Sequence, residues 1–186
     1  MVGLSGSARP GSRGRCPLHW LDHLDEVFMR KRITGQSPAA EPDAPAHWLD
    51  LEPLVTVEVS SEDSAHPAER ALVPTGEPGG WQAGVPGEQV MRLVFDRPQD
   101  LARVRLKFSE EARVRTQEFV LRWSADAGAS FREVLRQQWN FSPTGSTQEI
   151  EDHAVDLQGV TILELRITPD IGGGQARASL DELRVA

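Results

Sequence analysis

From Leu54 to the C-terminus, apolar residues alternate with polar ones in short runs, and this alternation constrains the fold more than any other feature. A period of two places the apolar side chains on one face of an extended strand. Glycine-containing turn signals such as 125–130 and 170–174 separate the runs. The sequence therefore predicts an all-β domain, a sandwich or barrel of about eight antiparallel strands. The predicted strands cover 55–59, 90–95, 103–108, 119–123, 131–140, 149–157, 163–167 and 176–185.

The chain before this domain has a different composition. Residues 1–16 are rich in Gly, Ser and Arg and predict a disordered tail. Over 17–33, apolar residues recur at helical spacing, which predicts one short amphipathic helix. Residues 34–53 contain several prolines and predict an extended linker. The β domain then occupies 54–186, with the helix as an N-terminal extension.

Charge and cysteine content restrict the partners and the compartment. The formal net charge is −8, and the excess of acidic residues lies entirely in 51–186. This balance opposes binding to nucleic acids or to anionic membranes. The single cysteine, Cys16, has no internal disulfide partner, and no apolar run is long enough for a signal peptide or a membrane span. We therefore expect a soluble cytoplasmic protein with no nucleic-acid or membrane partner.

Catalytic motifs do not stand out in the sequence. Two of the five histidines, His66 and His153, fall in the β region, and neither lies in a recognisable nucleophile or metal motif. A catalytic pair of carboxylates of the glycosidase type remains an alternative, because acidic residues are abundant, although nothing singles out one pair. The sequence predicts a protein that is not an enzyme and requires no cofactor.

Four segments in order resemble the discoidin, or coagulation factor 5/8 type C, domains of the galactose-binding-like group. They are 59–72, 79–98, 119–134 and 178–185. The resemblance implies a jelly-roll β-sandwich that recognises a ligand without catalysis. The run "SSEDSAHPAE" is most similar to small intracellular members, such as the N-terminal domain of the X-ray repair cross-complementing scaffold protein. These members imply a protein partner, whereas extracellular relatives imply a glycan, and the fold alone does not choose between the two.

The predicted ligand contacts lie in loops at one end of the sandwich. Trp139 stands where a strand runs out into a loop, beside Asn140 and Phe141, and it either faces a ligand or anchors the loop. The glycine- and proline-rich stretch 74–89 surrounds Trp81, which we expect to be a buried anchor. The predicted ligand-binding residues are Trp139, Asn140, Phe141, Glu77, Gln82 and Glu88.

The resemblance also raises the question of a calcium ion. Many members carry an Asp-Gly pair after the first strand, but here 71–76 reads "ALVPTG" without an aspartate. Glu182 matches a position that contributes a calcium ligand in relatives, and Asp63 is the second predicted ligand. Calcium requires six to eight oxygen ligands, so other carboxylates or backbone carbonyls of 62–77 must contribute.

One predicted strand has a basic face. Arg103, Arg105 and Lys107 alternate with apolar residues and therefore share an exposed side. Such a face suits an acidic ligand, or it pairs with acids of the neighbouring strands. The negative charge of the domain favours the pairing.

Overall fold

The computed structural model describes residues 47–73 and 79–186. The predicted tail, the predicted helix, most of the linker and Glu77 lie outside these ranges. Within them, the all-β prediction is confirmed, and every strand pair is antiparallel. In the described ranges, no helix is long and apolar enough to cross a membrane. The elements are β1 (Val55–Val59), α1 (Glu69–Leu72), β2 (Trp81–Pro86), β3 (Gln89–Ser109), β4 (Arg115–Ser124), β5 (Arg132–Phe141), β6 (Gln148–Thr168), β7 (Arg177–Leu180) and β8 (Glu182–Val185).

Two long strands connect the layers of the sandwich. β3 and β6 each contain 21 residues, although the alternation predicts two separate strands in each. The pairing between them shifts register between Val94 and Arg103, where the alternation is interrupted. On one side of this irregularity, the strand order is β1-β3-β6-β4-β5; on the other, β8 pairs with β3. We call these the first layer and the second layer, and β2 and β7 form a separate two-stranded sheet.

The core lies between the inward faces of the layers, as the alternation predicts. The rings of Phe108, from the second layer, and Phe119, from the first, are stacked with centroids 5.1 Å apart. Trp81 is only 1% exposed, so the prediction that it is a buried anchor is confirmed. A Cβ atom on Gly80 would lie 1.9 Å from the carbonyl oxygen of Leu180, so only glycine permits this close approach of the two backbones.

The stretch around Trp81 is not wholly a loop. Its residues 81–86 form β2, which pairs with β7. The glycines and prolines of this stretch hid the strand, because they are depleted in most strands. The register of β2 against β7 is irregular between Gln82 and Pro86, as expected for a strand of this composition.

One end of the sandwich, which we call the loop end, consists of the end of β2 with the turn after it (85–88) and three connections: residues 110–114, 142–147 and 169–176. Backbone hydrogen bonds link them, from Gly87 N to Ala176 O (3.2 Å) and from Glu110 N to Thr147 O (2.8 Å). The last connection also joins the start of β4, because Ile171 N donates to Thr116 O (2.9 Å). The fold therefore assembles one surface from segments far apart in the sequence.

Candidate functional site

The predicted aromatic cluster lies beside the loop end, but its members have different exposures. Trp139 is half-buried, and its indole Nε1 is buried without a hydrogen-bond partner among the described residues. Asn140 is exposed, and its Oδ1 accepts a hydrogen bond from Thr116 Oγ1 (2.6 Å). Phe141 is fully buried, with the Arg115 guanidinium 5.1 Å from its ring centroid. Phe141 therefore packs beneath the surface. The period of two places it on the inward face of β5, the same face as Trp139.

Two buried polar side chains, Gln117 of β4 and Glu149 of β6, were not singled out by sequence reasoning. Gln117, directly opposite Trp139 in the sheet, is fully buried, and its Nε2 donates to nothing in the described part of the chain. Glu149 is 2% exposed, and neither carboxylate oxygen accepts a hydrogen bond from the residues described. Burial, and then the proximity of the Glu151 carboxylate, raises the pKa of Glu149 to about 8. Gln117 continues the inward positions of the 119–123 alternation, whereas the apolar Ile150 would have placed Glu149 outward, and Ile150 is instead 48% exposed.

The remaining predicted contacts lie on other strands. Gln82 is in β2, where its Oε1 accepts a hydrogen bond from Arg177 Nη2 (2.8 Å). Glu88 is exposed at the loop end, and its Oε1 lies 3.2 Å from Arg166 Nη1. Trp139 lies on β5, which is the far edge strand of the first layer. The structure thus places these residues around the same end without building them into one cluster.

The described residues provide no calcium ligand set. Asp63 Oδ1 accepts from Ala65 N (2.9 Å), and this bond, followed by that of Oδ2 with Arg177 Nη1 (2.9 Å), lowers the pKa of Asp63. Glu182 lies 3.3 Å from Arg105 and 3.8 Å from Arg184. Over 47–73 and 79–186, no three His, Cys, Asp or Glu side chains cluster in a way that suits a metal ion. Because Glu77 lies outside the described residues, the calcium site stays a prediction.

The basic face of β3 is paired with acids, in agreement with the favoured interpretation of the sequence. Arg103 donates to both oxygens of Asp152 at 2.6 and 3.0 Å. Arg105 lies 4.0 Å from Asp152 and 3.3 Å from Glu182. These carboxylates come from β6 and β8, the strands on either side of this half of β3.

The outward face of the first layer carries a network that the sequence did not reveal. Glu164 is fully buried and accepts from Nε of Arg92 (2.8 Å), Arg122 (3.0 Å) and Arg166 (2.8 Å). Burial opposes ionisation, but the hydrogen bonds from the three arginines outweigh it and lower the pKa of Glu164. Charges alternate in the row across all five strands: Glu58, Arg92, Glu164, Arg122 and Glu133.

Solved structures with a similar fold are carbohydrate-binding modules. One is a pectin-binding module, with a TM-score of 0.50 and 18% identity over 71% of this chain and 89% of that one. A second, CBM32-5 from Clostridium perfringens in complex with GalNAc-β-1,3-galactose, has a TM-score of 0.52 and 19% identity over 74% and 98%. A third, CBM32-4 of the same organism with GlcNAc-α-1,4-galactose, has a TM-score of 0.52 and 16% identity over 76% and 96%.

These likenesses define the class of fold. The chain forms a galactose-binding-like β-sandwich of the kind found in CBM32 modules, as the resemblance of its four segments implied. They do not support the closer resemblance to intracellular members. No protein-family model matches the chain, and no curated protein matches it.

Proposed function

We propose that this chain is a non-catalytic module that binds a glycan. The observation that carries the proposal is the shared fold, which extends over 89–98% of three carbohydrate-binding modules. One of these modules binds pectin, and the other two were solved with a disaccharide bound. The proposal therefore prefers a glycan to a protein as the principal ligand.

The loop end beside β5 offers suitable chemistry for a sugar. Sugars present apolar ring faces together with hydroxyl groups that both donate and accept hydrogen bonds. Trp139 offers a partly exposed aromatic surface, and Asn140 offers an exposed amide. Amphipathic aromatic residues combined with a few polar groups are typical of small-molecule sites. We therefore assign Trp139 to the sugar contact, next to Phe141 on the same face of β5, whereas Asn140 points to the opposite face and is tested separately.

The proposal excludes catalysis by the two buried glutamates. Glu149 has the raised pKa typical of a general acid, but at 2% exposure its carboxyl does not reach a ligand at the surface. Glu164 is fully buried beneath three arginines. A positioned acid or base must come within hydrogen-bond distance of the reacting group, and neither glutamate meets this requirement.

The test is a glycan array carrying neutral and acidic saccharides, probed with the wild type and with Trp139→Ala and Asn140→Ala. We expect binding by the wild type, and a loss of about tenfold or more in the tryptophan variant, because the aromatic contact is removed. Gln138→Ala is the matched control, since Gln138 is exposed on the opposite face of the same strand. Bound sugars should be recovered uncleaved, and a wild type that binds no saccharide would refute the proposal.

A second candidate function is recognition of a protein, which exposed aliphatic residues favour. Val85, at the end of β2, and Val114 and Ile171, in connections, are 53%, 79% and 50% exposed, and all three lie at the loop end. Exposed apolar residues grouped in this way are typical of interaction surfaces. We expect Val114→Asp combined with Ile171→Asp to leave sugar binding within about twofold and to abolish any protein complex recovered by crosslinking. If the protein complex still forms with both substitutions, its interface does not lie at the loop end.

A further inference from the structure

A groove in the described part of the chain shares no lining residue with the loop end. Residues 47–52 run beside β8, where Leu49 N donates to Val185 O (2.8 Å) and Leu51 is buried in the core. Between this segment, the end of α1 and the outward face of the second layer lies this groove, with a volume of about 670 Å³. That volume falls within the range of roughly 300–1,000 Å³ typical of small-molecule sites.

An aromatic side chain forms part of the groove. Trp48 lines it and is half-buried, and the Arg103 guanidinium lies 5.5 Å from the centroid of its ring. This cation–π contact holds the indole against the outward face of the second layer. The groove therefore combines a held aromatic surface with the polar side chains of the adjacent strands.

Arginines and carboxylates share the polar lining. Glu182 lies between Arg105 (3.3 Å) and Arg184 (3.8 Å), and Arg184 Nη1 also donates to the Leu72 carbonyl oxygen (3.4 Å). Arg105 Nε is buried and lies 3.3 Å from Glu182 without a well-aligned hydrogen bond to the residues described, so Arg105 contributes to the groove through its remaining guanidinium N–H groups. Guanidinium groups donate several hydrogen bonds in fixed directions, which suits neighbouring hydroxyl groups of a sugar.

The charge of the groove favours uncharged saccharides over acidic ones. Its lining contains two arginines and three acids, Glu182 and the exposed Asp50 and Glu52, a formal balance of one negative charge. Both arginines already face Glu182. The exposed carboxylates of Asp50 and Glu52 would repel a polyanion, whereas they would not repel an uncharged sugar.

We propose that this groove binds one uncharged sugar unit, with Trp48 packing on its ring and Arg105 and Arg184 donating to its hydroxyl groups. The proposal rests on the proposed glycan-binding function and adds a second contact surface, separate from Trp139, together with a preference for neutral saccharides. A glycan chain that reaches both surfaces would bind more tightly than one that reaches a single surface.

The experiment titrates the full chain with GalNAc-β-1,3-galactose as the neutral probe and polygalacturonate as the acidic probe. Binding is followed by ¹H–¹⁵N NMR, with the Trp48 indole signal assigned from Trp48→Phe. We expect the neutral probe to shift this signal, and Trp48→Ala and Arg105→Ala each to weaken binding about tenfold, or about 1.4 kcal/mol. Lys107→Ala is the control, because Lys107 lies two residues further on the same face of β3.

The outcomes distinguish failure of the groove site from failure of the proposed glycan-binding function. Suppose that the wild type binds saccharides on the array but the neutral probe leaves the Trp48 signal unchanged. This result overturns the proposed groove site and leaves the proposed glycan-binding function standing. A Trp48 indole signal that polygalacturonate shifts at lower concentration than the neutral probe also overturns the groove. A wild type that binds neither probe nor any saccharide on the array overturns both proposals. The indole signal of the wild type decides the matter even if Trp48→Ala does not fold.

Discussion

The two halves of β6 each bury a glutamate, and the surroundings of the two residues are opposite. In the C-terminal half, Glu164 accepts hydrogen bonds from three arginines, and its pKa is lowered. In the N-terminal half, Glu149 has no such partner in the described ranges, and its pKa is raised to about 8. Burial disfavours the charged form at both positions, so the difference comes from the partners supplied by neighbouring strands.

A buried glutamate therefore contributes to stability with opposite pH dependence at positions 164 and 149. Glu164 is more acidic in the folded chain than in the unfolded one, so its contribution is present above about pH 4.5 and is lost as the pH falls through its folded pKa. Glu149 is less acidic when folded, so the folded state binds a proton that the unfolded state releases. Its contribution therefore declines as the pH rises from about 4.5 to about 8.

The largest effect is expected at Glu164. Glu164→Gln removes the negative charge and leaves Arg92, Arg122 and Arg166 close together without it, which should lower the free energy of unfolding at pH 7 by about 3 kcal/mol. We place the loss at the low end of the range for buried ion pairs, because the arginine side chains are 28–38% exposed and solvent screens their repulsion. Chemical denaturation measures this loss.

The control for Glu164 is Glu133→Gln in the same cross-strand row. Glu133 is 47% exposed, so its removal should cost less than about 1 kcal/mol. Equal losses in the two variants would show that burial gives Glu164 no special role, and the contrast between the two halves of β6 would disappear.

A smaller effect, of opposite sign, is expected at Glu149. Glu149→Gln keeps the shape of the side chain without a charge, so it should be more stable than the wild type by about 2 kcal/mol at pH 9. The advantage should shrink towards pH 4.5, where the wild-type carboxyl is protonated in the folded state and about half protonated in the unfolded state. Free energies of unfolding measured by denaturation from pH 4.5 to pH 9 test this expectation.

The control for Glu149 is Glu151→Gln, which removes the neighbouring charge and leaves the burial of Glu149 unchanged. We expect this variant to retain part of the wild-type decline in stability, since burial is the larger cause of the raised pKa. A pH dependence identical in the wild type and Glu149→Gln would show that Glu149 titrates normally in the folded chain.

Much of the fold follows from the sequence through local geometry. Alternation along 55–59 or 119–123 predicts a strand wherever it occurs, because successive side chains point to opposite faces. Extended past its predicted strand, the rule also accounts for the burial of Phe141, which was predicted to contact a ligand. It fails at β2, where glycine and proline mask the strand, and across residues 96–100 of β3, where a register shift rather than a turn separates two alternating runs.

The candidate sites were less accessible to sequence reasoning. Trp139 and Asn140 were singled out as neighbours in the chain, but strand pairing places Gln117 opposite Trp139 and Thr116 opposite Asn140. Trp48 lay within a predicted linker, and nothing in the sequence indicates that it meets Arg103. Such contacts depend on strand pairing, which local patterns do not specify.

The sequence by itself determined the fold class and the inward and outward faces of most strands. These properties arise from the alternation of side chains along an extended backbone and from the gain in free energy when apolar surface leaves water. Only the tertiary structure decided which buried glutamate has arginine partners and which does not. Ionisation depends on charges within a few ångströms, and long-range strand pairing brings those charges together.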